Sequence, residues 1–467
     1  MSRYQSFNLP FWKLRAVLIC CLWLLPLGSF AQQAEHAAQP TADNEAATET
    51  DKDQEYYQLM RLFVDSFDQI ERNYVQEIDR RELIEAAIDG MLKKLDQYSD
   101  YIPPQEVEQF QGSVDGEFAG IGIQVSIEDG FLRVISPMYG SPAYHGGVLA
   151  GDMVLKINNL DAEGISMDDA VKLIKGKTGT KVRLKVRHVA DQQEEEFELV
   201  REVVQVQTVL GYHRNDDDSW NYFYNADEKI GYIRLTSFAR RSAAELQTAV
   251  EQLQARGMQG LILDLRNNPG GLLPVAIKVC DMFVPEGKIV STRGRNSASR
   301  QWDAHKEGTF QDFPMGVLVN GFSASASEIV AACLKDNNRA VLVGERTFGK
   351  GSVQNVISLE EGTSILKLTT SAYYRPNGKN INRLPNSKET DDWGVQPSEG
   401  FEVKLDAEQT LAYMKDRRQR DIVAKKPASD DKANQQGQAK GPEGKFEDQQ
   451  LNKALDYIRT QIKSRQP

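Results

Sequence analysis

A serine and a lysine, 25 residues apart, carry the chemistry this chain is best equipped to do. Ser325 lies in the small-residue run Ser323-Ala324-Ser325-Ala326-Ser327-Glu328, between an apolar stretch at 317–319 and a helical pattern. Lys350 lies in Thr347-Phe348-Gly349-Lys350-Gly351, a turn that follows another short apolar strand. A neutral lysine amine can take the proton of a serine hydroxyl and turn its oxygen into a nucleophile. The amine must be neutral to do so, and burial is what lowers a lysine pKa. Phe348 and the neighbouring apolar strands supply such a setting. Gln354, four residues on, is placed to orient the amine. Gly270-Gly271 follows the apolar strand at 260–266, and glycines let backbone amides approach a substrate closely. With the Ala326 N–H as second donor, they form a candidate oxyanion hole.

Each of these residues also has a plainer reading. Ser325 to Glu328 is a capping box, in which the serine satisfies helix amides. Lys350 fits a solvated turn lysine, Gln354 a surface strand residue, and Gly270-Gly271 an ordinary turn between strand and helix. Other chemistries fare worse. None of the five histidines, at 36, 145, 188, 213 and 305, lies in a small-residue turn beside a candidate nucleophile, so nothing recommends a Ser/His/Asp triad. Ser323 stands where a glycine–serine–glycine elbow needs glycine. No His or Cys spacing suits zinc, and the reaction requires no cofactor. Gly344 to Lys350 imitates a phosphate-binding loop, but Gly351 replaces the Ser/Thr that holds magnesium, and a strand follows instead of a helix. A net charge of −11 argues against nucleic acid as a partner.

The elements that must position these groups divide the chain into six stretches. Residues 1–31 carry Arg3, Lys13 and Arg15 before an apolar run at 16–30 and small residues, which reads as a cleaved secretory signal, with an uncleaved membrane anchor as the alternative. Residues 32–54 are Ala-, Gln- and acid-rich and are expected to form a disordered linker. Residues 55–104 show helical apolar spacing at 56–74 and 83–95. Residues 105–200 alternate short strands, glycine turns and two helices. Residues 201–415 mix strands and helices, the texture of a helix-covered sheet. Residues 416–467 hold a polar stretch and a terminal amphipathic helix. Of the mature cysteines, Cys280 and Cys333 fall in predicted helices and read as two separate buried thiols, with a bridge left open.

Taken together, these segments resemble the C-terminal processing peptidases, the tail-specific serine proteases of peptidase family S41, over residues 56–403. Gly120-Ile121-Gly122-Ile123, Ser141-Pro142-Ala143, Gly151-Asp152 and the run 176–180 are similar to that family's PDZ domain. The run 264–271, the Ser325 segment and the Lys350 turn are similar to its catalytic core. The resemblance implies an α+β multidomain chain. An N-terminal helical region precedes a PDZ domain, a ClpP/crotonase-like mixed α/β protease core and a helical tail. It implies a Ser325/Lys350 dyad with Gln354 as third member, and oxyanion donors around Gly270, Gly271 and Ala326. It also implies capture of a substrate C-terminus at Gly120, Ile121, Gly122 and Ile123. The expected protein is then a periplasmic or secreted endopeptidase that cuts proteins near their C-termini. It would act without metal or cofactor, as a homo-oligomer such as a dimer, and with room for an activating adaptor. The competing reading is a PDZ-bearing scaffold with an inactive core. The sequence departs from the family's pattern at Gln97-Tyr98, at Lys175, at Pro397-Ser398 and in a long loop at 382–393.

Overall fold

The computed structural model describes residues 43–423 and 446–465. The expected leader at 1–31 and the polar stretch at 425–445 lie outside the described residues. The chain divides into two compact units, which meet between Arg80 and Arg81. In the first, α1 runs from Asp43 to Asn73. It therefore begins inside the stretch expected to be disordered. Ala, Glu and Gln, which cannot build a core, are nonetheless strong helix formers. Tyr56, Leu59, Leu62 and Phe63 are exposed along it.

The second unit opens with α2 (Arg80–Leu95) and α3 (Pro104–Asp115). A five-member antiparallel path then follows: β1 (Ile123–Glu128), β2 (Phe131–Pro137), β3 (Met153–Ile157), β4 (Lys181–Arg187) and β5 (Glu194–Val200), with α4 (Met167–Ile174) between β3 and β4. Burial alternates along β4, with Val182, Leu184 and Val186 inward, as a one-sided sheet requires. A ribbon of residues 117–120 and 202–205 closes this β-rich domain.

The core is a mainly parallel sheet of β6 (Ile230–Leu235), β7 (Gly260–Asp264), β8 (Met315–Val319) and β9 (Val341–Gly344). Both faces are covered, which explains why these strands read as continuous apolar runs. Ile233, Leu235, Leu261, Leu263, Val317 and Val319 face a cluster that includes α5 (Ser242–Ala255), α6 (Leu273–Asp281) and α7 (Ala326–Asp336). Tyr232, Ile262, Leu318 and Val343 face the opposite way. A long hairpin, β10 (Ser352–Leu359) and β11 (Ser364–Tyr374), belongs to a second sheet. Two helices end the chain, α8 (Ala407–Asp421) and α9 (Gln449–Arg465). The apolar face of α9, through Leu451, Ala454, Leu455 and Ile458, covers the second face of the parallel sheet. Cys280 on α6 and Cys333 on α7 are both buried and unbridged, as two separate thiols.

One buried polar network fastens α9 to the strand end that leads to the candidate site. Arg266 is 3% exposed and donates to Asp264 at 2.6 and 3.0 Å, to Asp448 at 2.9 and 3.0 Å, and to Gln450 at 3.0 Å. Asp448 also accepts the Leu451 N–H in the first turn of α9. Tyr232 donates to Asp264 at 2.6 Å. Burial alone would raise the Asp264 carboxyl, but Arg266 and these hydrogen bonds overcome it and hold the group below its ordinary value. Removing the cation strands two buried carboxylates. Arg266→Leu is therefore expected to cost about 3–5 kcal/mol, read as a lower urea midpoint. An unshifted midpoint would count against the network.

Candidate active site

Ser325, Lys350 and Gly270-Gly271 lie where the parallel strands end, which is where open α/β sheets place their ligands, while Gln354 lies on the hairpin strand β10. β7 delivers residues 265–271, β8 delivers 320–325, and β9 delivers 345–350. Polar side chains lace the first two loops together. Asn267 and Asn320 exchange hydrogen bonds at 2.9 and 3.0 Å. Ser323 donates to the Leu265 carbonyl at 2.8 Å, and Ser327 donates to the Asn268 carbonyl at 2.9 Å. Asn268 anchors its own loop by donating to Leu235 O at 2.7 Å.

Ser325 is 8% exposed and precedes the first turn of α7. Its backbone has φ 56° and ψ −113°, a conformation that a residue with a Cβ adopts only under constraint. Ser325 and Glu328 stand in the capping box that the sequence suggests, and Glu328 accepts the Ser325 N–H at 2.8 Å. The Ser325 hydroxyl sits at the capping position but makes no cap hydrogen bond of full geometry. Gly270 packs directly against it: a Cβ there would stand 2.8 Å from Ser325 Cβ and 2.9 Å from the Ala326 nitrogen.

The donors of the candidate oxyanion hole separate into engaged and free. The Gly270 N–H is taken by Asn268 Oδ1 at 2.9 Å, and its carbonyl accepts from Phe238. Gly270 thus provides close approach, and its amide is already in use. Among the described residues, the amides of Gly271 and Ala326 donate to nothing. The Ala326 amide is one of the first-turn donors that an α-helix leaves unpaired.

Glu328 organises both halves of the site. It is fully buried, and one carboxylate accepts four hydrogen bonds. They come from Ser325 N at 2.8 Å, Lys350 N at 2.8 Å, Gly349 N at 2.7 Å and Thr347 Oγ1 at 2.6 Å. Burial pushes its carboxyl above the ordinary value, and the four donors pull it back. Since all four contacts are donors, the ionised form is the one that fits. The sequence marks Glu328 only as the far end of a capping box, because its other partners are 19 to 22 residues away.

Lys350 is half-buried. Burial lowers its amine below the ordinary lysine value, and repulsion from Lys367 adds to this, while Glu328 and Asp96 oppose it. That is the direction a general base needs. Its Nζ makes no hydrogen bond to Ser325 Oγ and lies 4.5 Å from the centroid of the Tyr98 ring. Gln354 is likewise engaged elsewhere, donating to Ser352 Oγ at 2.8 Å and Thr369 Oγ1 at 3.1 Å. The structure therefore brings the backbones of Ser325 and Lys350 onto one carboxylate, but it does not bond their side chains to each other or to Gln354.

In the β-rich domain, Gly120-Ile121-Gly122 leads into β1, the edge strand of its sheet. Gly122 has φ 72°, and a Cβ there would meet Ser141 Cβ at 2.2 Å, so only glycine fits. Among the described residues the amides of Ile121 and Gly122 donate to nothing. Ile123, Val125 and Leu173 are partly buried beside the domain core.

Three family models match the chain. The one described as peptidase family S41 covers residues 229–397, a PDZ domain covers 133–188, and the N-terminal domain of the activating protease CtpB covers 26–105. A carboxy-terminal-processing protease of Bartonella bacilliformis is 34% identical over 429 residues, spanning 88% of this chain and 91% of that one. A carboxyl-terminal-processing protease of Synechocystis is 35% identical over 340 residues, spanning 72% of this chain and 75% of that one. The carboxy-terminal processing protease CtpA of Bacillus subtilis is 36% identical over 320 residues, spanning 68% and 66%.

Glu328→Gln tests the shared carboxylate. The amide keeps the shape but turns an NH2 toward two of the four donors. The expected result is a fall in kcat of about 10²-fold or more with a smaller change in KM, since a misplaced nucleophile–base pair loses reactivity before binding. Peptide hydrolysis within about twofold of the parent would show that the carboxylate does not position the site.

Proposed function

Since the chain belongs to peptidase family S41 as a C-terminal processing serine protease with a PDZ domain, we propose that Ser325 is its nucleophile and Lys350 its general base. The observation that carries this assignment is the Glu328 carboxylate, which holds the Ser325 and Lys350 amides at 2.8 Å each, beside a lysine whose amine burial has made less basic. Lys350 takes the hydroxyl proton as Ser325 Oγ attacks the scissile carbonyl. The tetrahedral oxyanion is received by the Gly271 and Ala326 amides. Lys350 then passes its proton to the leaving amine, and water resolves the acyl-enzyme by the same route in reverse. Gln354 orients the amine once it turns toward the serine.

The PDZ domain delivers the substrate. The free amides of Ile121 and Gly122 suit a terminal carboxylate, and edge strand β1 can accept the peptide as an added strand. Cleavage near the C-terminus then follows from holding that end. The apolar run at 16–30 behind three cations supports a periplasmic or secreted protein. The exposed apolar side chains of α1 support self-association, and an activating adaptor is compatible with a peptide-binding module. An inactive scaffold finds no support, since both catalytic side chains are present in a buried, preorganised frame.

Ser325→Ala and Lys350→Ala should each lower hydrolysis by about 10³-fold or more. A peptide with a free C-terminus should still bind, and an amidated one should bind much more weakly. Retained hydrolysis in either variant overturns the dyad.

The pH profile gives a second test. The base is the neutral amine, so kcat/KM should rise as pH climbs through a lysine pKa below the ordinary 10.5 and then level off. Between the folded value and the ordinary one, the unfolded chain holds the extra proton, so Lys350 also makes stability rise with pH in that window. A flat profile from pH 5 to 10 would remove Lys350 as the base.

A further inference from the structure

The Lys350 ammonium has a definite seat in this structure, and that seat is not Ser325. Its Nζ stands 4.5 Å above the centroid of the half-buried Tyr98 ring, within the reach of a cation–π contact. Tyr98 is not loosely held there. Asp96 accepts from the Tyr98 N–H at 2.7 Å, the Ser99 N–H at 2.8 Å and the Ser99 hydroxyl at 2.9 Å. Ser99 in turn accepts the Thr369 N–H at 3.1 Å, and residues 100–102 pair with β11. The turn is thereby fixed to the hairpin whose other strand, β10, starts just after Lys350.

Resting on the dyad reading above, we propose that Tyr98 is a positioning residue that holds the charged Lys350 side chain off Ser325, so that the lysine must leave this ring before the serine is activated. Three further observations agree. Among the described residues, Ser325 Oγ makes no hydrogen bond of full geometry, Lys350 Nζ makes none, and Gln354 is occupied by Ser352 and Thr369. All three catalytic side chains are thus poised but apart, and the Tyr98 ring is the group that holds the amine. The ring also lies three residues past the end of α2. Arg81, at the start of α2, pairs with Glu360 at 2.7 Å, beside the tip of the same hairpin. Movement of α2 relative to the hairpin would therefore bear directly on where the amine sits.

The contact also acts on protonation. Lys367 on β11, Glu328 on α7, Asp96 in the turn and the Tyr98 ring are the groups facing the amine. Burial and Lys367 favour the neutral base, whereas Glu328, Asp96 and the π face favour the cation. Removing the ring therefore frees the side chain and makes it less basic.

The test is a graded series at residue 98 in the full chain, read as peptide hydrolysis against pH. Tyr98→Leu removes the π face and keeps bulk. Its kcat should rise about two- to fivefold, the size of an exposed cation–π contact, and its acid limb should move down by about half a pH unit. Tyr98→Trp strengthens the contact and should do the opposite on both counts. Tyr98→Phe keeps a π face and should stand nearer Tyr than Leu. A Leu variant no faster than the parent, or an acid limb that ignores the series, overturns the proposal. If Tyr98→Leu fails to fold, the Trp variant decides alone, with an unmoved rate and acid limb as the negative outcome. Ser325→Ala and Lys350→Ala separate the two levels of inference. If both abolish hydrolysis while the series is flat, the dyad stands and only the role of Tyr98 falls.

Discussion

A single buried carboxylate is the constraint around which this site is built. Ser325 and Lys350 come from different strand ends and would have no fixed relation without a common partner. Glu328 supplies it through hydrogen bonds to both backbones and to Gly349 and Thr347. Thr347 continues the chain of contacts by accepting the Val395 N–H at 2.8 Å. A charge is costly in a site this dry unless every lone pair is met, and here four donors meet it. The same bonds hold Ser325 in its constrained backbone conformation, because its N–H is one of the four. Strain at Ser325 and satisfaction at the carboxylate are therefore two sides of one arrangement.

The rest of the core makes that arrangement rigid. Parallel strands ending at one edge bring three loops together, and helices on both faces keep the strands in register. Arg266 joins the β7 end to α9, so the C-terminal helix is part of the frame that supports the site. Glycines appear where backbones must touch. Gly270 lies against Ser325 and Ala326, and a Cβ on Gly351 would stand 2.3 Å from the Asn382 nitrogen. The long loop at 382–393 is tied to the Lys350 turn: Arg383 N donates to Gly349 O at 2.8 Å, and Trp393 lies between the guanidiniums of Arg346 and Arg383 at 4.3 Å each. What reads in sequence as an insertion is a brace on the Lys350 turn.

The fold class was legible in the residues, and so was the gathering of the Ser325, Gly270 and Lys350 loops; the hydrogen bonds they make were not. Period-two and period-3.6 patterns locate elements well, and the helix Met167–Ile174 and the strand Ile230–Leu235 coincide with their apolar patterns. Composition misleads at 43–54, where a polar stretch without a core still propagates as helix. At the site, local motifs show which residues gather but not which hydrogen bonds they form. The capping box at Ser325 is present, but the motif does not show that its Glu328 also serves Thr347, Gly349 and Lys350. Gly270 is in place, yet its amide is spent on Asn268. Cys280 and Cys333, 53 residues apart, share one buried cluster because α6 packs on α7, which no local pattern encodes. Tyr98 is visible in sequence only as a departure from the family's motif, since a ring and an amine 252 residues apart share no local signal.

The separation of Ser325, Lys350 and Gln354 has a physical advantage for an enzyme whose substrates are proteins. A nucleophile already paired with a neutral base would attack any chain entering the cleft. Here the frame is preorganised, so the costly ordering of backbone is complete before substrate arrives. On the reading proposed above, the remaining step is a rotation of one flexible side chain from a ring to a hydroxyl, which is cheap enough to be biased by binding elsewhere. The PDZ domain is joined to the core by polar contacts, among them Arg418 to Glu128 at 3.1 Å, Tyr144 to Asp218 at 3.0 Å and the buried Val423 N–H to Ser136 Oγ at 3.0 Å. An exposed ion pair such as Arg418–Glu128 is worth about 1 kcal/mol or less, so a bound peptide can shift it. On the same reading, specificity resides in the coupling between that domain and one amine, while catalytic power resides in the carboxylate beneath both.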